Sequence, residues 1–108
     1  MSAGFANSLR ARTGDIVLAE AGPGSIRVRV EMPEVWDAVR VVAGPAEPVL
    51  TVKVKALDAL FPAAEFHQEF VVKFRGWEIL DESVTLADAG VVDGSILLVT
   101  YRRRRPVR

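Results

Sequence analysis

The clearest pattern in the chain is a strict alternation from Ser25 to Glu31. Ile26, Val28 and Val30 fall on one side, and Arg27, Arg29 and Glu31 on the other. A period of two with one apolar side predicts a strand with one face buried and one face wet. Met32-Pro33-Glu34 predicts a turn. Trp36–Ala43, carrying Val39, Val41 and Val42, predicts the second strand of a hairpin closed by Gly44-Pro45. Ahead of the hairpin, Ile16, Val17 and Leu18 are enough for a short extra strand, which Gly22-Pro23-Gly24 interrupts. Residues 1–12 have no period, so residues 1–24 are expected to be a flexible extension with room for that one strand.

Residues 49–61 also alternate, with Leu50, Val52, Val54 and Ala56 against Thr51, Lys53 and Lys55. Helix is nevertheless the better reading. Pro48 suits a helix start, where a missing N–H costs nothing. Thr51, Lys55 and Asp58 fall into one polar stripe on a helical wheel, and the run is longer than an ordinary strand. Phe61-Pro62 ends it. Beyond lie a third strand at Glu69–Arg75, a turn at Gly76, a brief strand at Glu78–Leu80 and a one-turn helix over Thr85–Gly90. Asp93-Gly94 predicts a tight turn, and Ser95–Tyr101 a final strand apolar enough to lie centrally in a sheet. The element order is β-β-α-β-β.

Composition narrows the function classes. A chain of 108 residues, 50% hydrophobic and 26% charged, supports one domain with a real core. It has no cysteine and one histidine, His67, which excludes disulfides, thiol nucleophiles, iron–sulfur ligation and multi-His metal centres. No apolar run approaches the roughly 18 residues of a membrane span, so a soluble, cytoplasmic domain is expected. The net charge of zero hides an asymmetry: residues 25–100 carry 7 Lys/Arg against 12 Asp/Glu, whereas residues 102–108 carry 5 Arg and no acid. An acidic body at residues 25–101 is thus followed by a basic tail at residues 102–108. Catalytic chemistry has no support: no Gly-rich phosphate loop precedes a helix, and the adjacent acids Asp81 and Glu82 imply no convergent cleft. No catalytic, cofactor-binding or metal-binding residue is expected.

Three stretches together resemble the ubiquitin-like β-grasp family. Val49-Leu50-Thr51-Val52-Lys53-Val54-Lys55-Ala56 is similar to its central helix. Val71-Val72-Lys73-Phe74-Arg75-Gly76, followed by Ile79-Leu80-Asp81, is similar to its third strand, glycine turn and fourth strand. Thr85-Leu86-Ala87-Asp88 through Asp93-Gly94-Ser95 to Ile96-Leu97-Leu98-Val99 is similar to its closing segment. The resemblance runs from about Ser25 to Arg102. It implies an α+β fold of the ubiquitin-like β-grasp type, a mixed four- to five-stranded sheet packed on one main helix. It also implies a structural ion pair between Lys53 and Asp81. Conjugated members end in Gly-Gly, whereas this sequence ends Tyr101-Arg102-Arg103-Arg104-Arg105-Pro106-Val107-Arg108, so covalent attachment is not expected. The family's apolar recognition patch is replaced by Lys73 and Thr100. Small bacterial ubiquitin-like proteins also lack the Gly-Gly ending, and the 11 Arg to 3 Lys suit a GC-rich bacterial genome.

The candidate interaction residues follow from these departures. Trp77 comes directly after the glycine turn, where it either anchors a protein partner or packs on a neighbouring segment. Lys73 and Arg75 flank that turn and join it as partner-binding candidates. Trp36 has the same two readings, with packing the stronger. Arg102, Arg103, Arg104 and Arg105 either clamp an acidic partner or form a solvated tail. Leu50, Val54, Leu57 and Phe61 give the helix a second apolar stripe in need of cover, and His67 is expected on the surface. The leading function is therefore a non-covalent protein-interaction module. A polyanion binder acting through its arginine tail is the alternative, and a modifier the third.

Overall fold

The computed structural model describes residues 15–19 and 22–102. The predicted hairpin consists of β2 (Ile26–Met32) and β3 (Asp37–Ala43), preceded by β1 (Asp15–Val17). In β2, Val28, Val30 and Met32 point to one side; the antiparallel register sets Val28 beside Val41 and Val30 beside Val39 of β3, with Ala43 further along the same face. All six are buried. A single 3-10 turn at Pro33–Val35 joins the strands, and Trp36 follows it in the left-handed region at φ 54°.

The helix α1 (Val49–Leu60) crosses one face of the sheet, laying Val49, Val52, Lys53, Ala56, Leu57 and Leu60 inward. Pro48 has no side chain to cap the first turn. Backbone does so instead: the N–H groups of Val49 and Leu50 donate to the carbonyls of Val84 and Glu82 at 2.9 and 2.8 Å. The loop after β5 is therefore fastened to the start of α1. That fastening positions the acids of the loop.

The remaining strands are β4 (Phe70–Phe74), β5 (Trp77–Glu78) and β6 (Ile96–Tyr101). The sheet order is β1-β3-β2-β6-β4-β5. β6 runs parallel to β2 and antiparallel to β4, so Leu97 and Val99 lie in the middle of the core, both about fully buried. Six strands form where four to five were expected, because β1 adds in parallel to the open edge of β3 and β5 folds back on β4. The brief strand is Trp77–Glu78, two residues long and starting one residue nearer the turn than the expected Glu78–Leu80. Thr85–Gly90 is a run of turns and forms no helix: only the Ala89 N–H reaches back four residues, to the carbonyl of Thr85. Leu86 nails this segment to the core, buried completely. Among the described residues no helix is long and apolar enough to cross a membrane.

Candidate functional site

The β4–β5 connection is a two-residue hairpin. Phe74 pairs with Trp77, while Arg75 and Gly76 between them have φ of 57° and 86°. Two successive positive φ values give the turn whose twist matches that of the strands. Gly76 adopts this at no steric cost. Arg75 does not, yet its guanidinium lies 5.6 Å from the centre of the Phe74 ring, a cation–π contact.

Pleating divides the candidates between two faces. Lys73 and Glu78 are cross-strand partners, as are Phe74 and Trp77, so the two pairs point to opposite sides of the sheet. On the helix side, Trp77 is 79% exposed at the mouth of a groove of about 490 Å³, whose floor includes Phe74, Ile79, Val84, Ala89 and Gly90. Leu80 is also exposed, at 83%, but does not line the groove. Gly90 suits this position through its φ of 87°, while a Cβ there would meet the Phe74 ring only at an ordinary contact distance of 3.7 Å. On the outer side, Lys73 is half-buried opposite Leu98, beside a shallow groove of about 770 Å³ that includes Val92 and Ile96. Arg75 lines both grooves. Trp77, Lys73 and Arg75 thus share one corner but not one face.

Trp36 departs from its expected packing role. It is 93% exposed at the tip of the β2–β3 hairpin, next to a groove lined by Arg29, Glu31, Pro33 and Ala38. The sequence held no sign of this, because the left-handed residue after a 3-10 turn is fixed by how the hairpin closes. Beside it, Glu34 accepts hydrogen bonds from the Thr100 hydroxyl and, at 2.9 Å, from the Tyr101 N–H. Burial pushes the Glu34 carboxyl up. The bonds from Thr100, Tyr101 and its own backbone outweigh this and hold it below the ordinary 4.5. Thr100 is therefore engaged within the molecule.

The Lys53–Asp81 pair does not form. Lys53 is 1% exposed, and its Nζ lies 2.7 Å from Glu82 Oε1 while donating to the Phe70 carbonyl at 3.0 Å. Asp81 turns outward, accepting from the Ser83 hydroxyl and, at 3.0 Å, from the Ser83 N–H. Those bonds from Ser83 hold its carboxyl below the ordinary 3.8. The reason is geometric: the Glu82 carbonyl is tied to the first turn of α1, which leaves the longer glutamate chain directed at Lys53. His67 is half-buried, with Nδ1 turned inward and without a hydrogen-bond partner, rather than fully on the surface. The second helix stripe is covered in part, with Leu57 buried and Leu50, Val54 and Phe61 half-buried.

Arg102 is held against the body. Its N–H donates to the Glu69 carbonyl at 2.7 Å, its guanidinium to the Gln68 carbonyl at 3.4 Å, and it meets Glu78 at 3.5 Å. Arg103, Arg104 and Arg105 lie outside the described residues, as does most of the extension expected to be flexible. Among the described residues, no group of His, Asp and Glu could hold a metal ion.

No family model matches the chain, and no curated protein is significantly similar to it in sequence. Solved structures are similar in fold. The C-terminal ubiquitin-like domain of human 2'-5'-oligoadenylate synthetase-like protein is 18% identical with a TM-score of 0.62, over 83% of this chain and 98% of that one. A ubiquitin-like domain of Arabidopsis thaliana is 19% identical with a TM-score of 0.61, over 84% of this chain and 92% of that one. A de novo design based on ubiquitin is 20% identical with a TM-score of 0.61, over 81% of this chain and 100% of that one. The fold is the ubiquitin-like β-grasp.

Proposed function

We propose that this chain is a non-covalent protein-interaction module that docks a partner at the Trp77 corner. The observation that carries the reading is a tryptophan 79% exposed beside a groove of about 490 Å³ with an apolar floor. Tryptophan is enriched among the few residues that carry most of the energy of protein interfaces. The rim of the groove is mixed in charge, with Arg75 beside Glu78 and Asp81, so the apolar floor and the indole carry the docking and the rim charges tune it. Among the described residues, Trp77 is not part of the hydrophobic core cluster.

The test is quantitative capture by the tagged full chain, its Trp77→Ala variant and a version ending at Tyr101, each expressed in the native cell. A protein partner retained by the wild type and the shortened chain, and lost with Trp77→Ala, supports the proposal. Loss with the tail alone transfers the function to Arg102–Arg108 and the polyanion reading. A ladder of covalent adducts under denaturing conditions overturns non-covalent docking.

A further inference from the structure

The chain leaves the end of β6 in a definite direction. β6 lies between β2 and β4, and among the described residues the bonds of Arg102 all go to the β4 side. Its N–H donates to the Glu69 carbonyl, and its guanidinium donates to the Gln68 carbonyl and to Glu78 on β5, two strands away. On the β2 side, two acids at the hairpin tip are already engaged. Glu34 holds Thr100 and Tyr101, and Glu31 pairs with Arg29 at 2.8 Å.

Six residues follow Arg102, namely Arg103-Arg104-Arg105-Pro106-Val107-Arg108, with four cations and no acid. β5 is the last strand of the sheet, and Glu78 stands next to Trp77 on it. The groove beside the indole is lined by two acids, Glu78 and Asp81, and one cation, Arg75. Arg75 is held over the Phe74 ring, while two hydrogen bonds from Ser83 keep Asp81 turned outward and ionised. An acid-rich rim therefore adjoins an open indole, and guanidinium groups bind both. The distance allows it. Arg102 is level with Glu69 and Trp77 with Phe74, which separates them by about 17 Å along the strands and about 10 Å across, about 19 Å in all. Six extended residues span about 20 Å, and arginine stems carry their charge further.

We propose that residues 103–108 dock back on the Trp77 corner as its intramolecular occupant, with Arg102 on Glu78 as the fixed end. The guanidinium groups of Arg105 and Arg108 pair with Glu78 and Asp81 and stack on the indole. This regulation rests on the reading of that corner as the partner site: a partner gains the corner only by displacing the arm. Being tethered, the arm competes at an effective concentration in the millimolar range. Being held by exposed charges, it is released by salt.

The experiment compares the isotope-labelled full chain with a version ending at Arg102, both in about 0.05 M salt. Removing residues 103–108 should shift the Trp77 indole N–H and the Glu78 and Asp81 amides, while the Trp36 indole stays in place. Raising salt to about 0.5 M should bring the full chain to the shortened one at those signals. The synthetic peptide Arg-Arg-Arg-Pro-Val-Arg, added to the shortened chain, should restore the shifts saturably. It should bind the Glu78→Gln/Asp81→Asn variant of that chain at least about fivefold more weakly. Shifts at Trp36 would put the arm at the hairpin tip, and shifts that grow with protein concentration would put it on a second copy; either overturns the proposal. So does a Trp77 signal that neither truncation nor salt moves. The salt series needs only the full chain, so it decides the matter even if the shortened chain does not fold. Partner capture separates this regulation from the docking reading beneath it. The shortened chain should retain the Trp77-dependent partner at least about threefold better than the full chain. An unmoved Trp77 signal with Trp77-dependent capture intact removes the arm and keeps the corner, whereas capture indifferent to Trp77→Ala removes both.

Discussion

Lys53 is the residue on which sequence and structure differ most usefully. That Lys53 takes an anionic partner was legible through the resemblance, and a partner is what holds a cation that is 1% exposed. The choice between adjacent acids was not, since it depends on which backbone carbonyl caps α1. With the pair at 2.7 Å and Lys53 1% exposed, removing the anion leaves an uncompensated buried charge. Glu82→Ala should cost about 3 kcal/mol in urea unfolding. Lys53→Met should cost distinctly less, because Glu82 can then turn to water. Asp81→Ala should lose only its turn with Ser83, and a loss as large as that of Glu82→Ala would restore the rejected pair. Trp36 gives the second prediction at this scale. Its left-handed backbone strains a bulky residue that buries almost nothing. Trp36→Gly should stabilise the domain by about 0.5–1 kcal/mol in a thermal melt. A loss would mean that the indole packs on something in solution.

Among the elements, the hairpin strands and the closing strand were readable because their alternation is also their burial. β5 was not: two residues have no period, and only the positive φ of Arg75 and Gly76 brings Trp77 back onto Phe74. The turn of the first hairpin was read as a turn, but its link to β6 through Glu34 joins residues far apart in the chain. That link sets a pH dependence. The folded carboxyl of Glu34 titrates below its ordinary 4.5, so folding favours its ionised form. The stabilisation is complete above the ordinary value and fades as pH falls through the lower, folded value. After discounting for exposure it is worth about 1 kcal/mol. The melting-temperature gap between wild type and Glu34→Gln should therefore be present at pH 7 and close towards pH 3. A gap unchanged at pH 3 would show that the carboxylate is not its source.

For the whole molecule, the question is whether binding is carried by the apolar corner or by charge. The body from residue 25 to 100 has five more acids than bases, and the five arginines of residues 102–108 oppose it. Only Arg102 among them is described, already engaged with Glu78 and the Gln68 carbonyl. The two mechanisms differ in their response to salt. Each phosphate or carboxylate gripped by a tail arginine releases counterions, so tail-driven binding falls steeply with ionic strength. Burial of Trp77 involves little charge, and screening at the half-buried Lys73 and the exposed Arg75 touches only the rim. Raising salt from about 0.05 to about 0.5 M should weaken Trp77-dependent capture by no more than about threefold, whereas Trp77→Ala should weaken it by at least about tenfold. The same variant should keep its unfolding free energy within about 0.5 kcal/mol, because the ring is exposed. A salt loss beyond about 100-fold, or a destabilised Trp77→Ala chain, would remove the corner as the anchor and leave the tail to explain the partner.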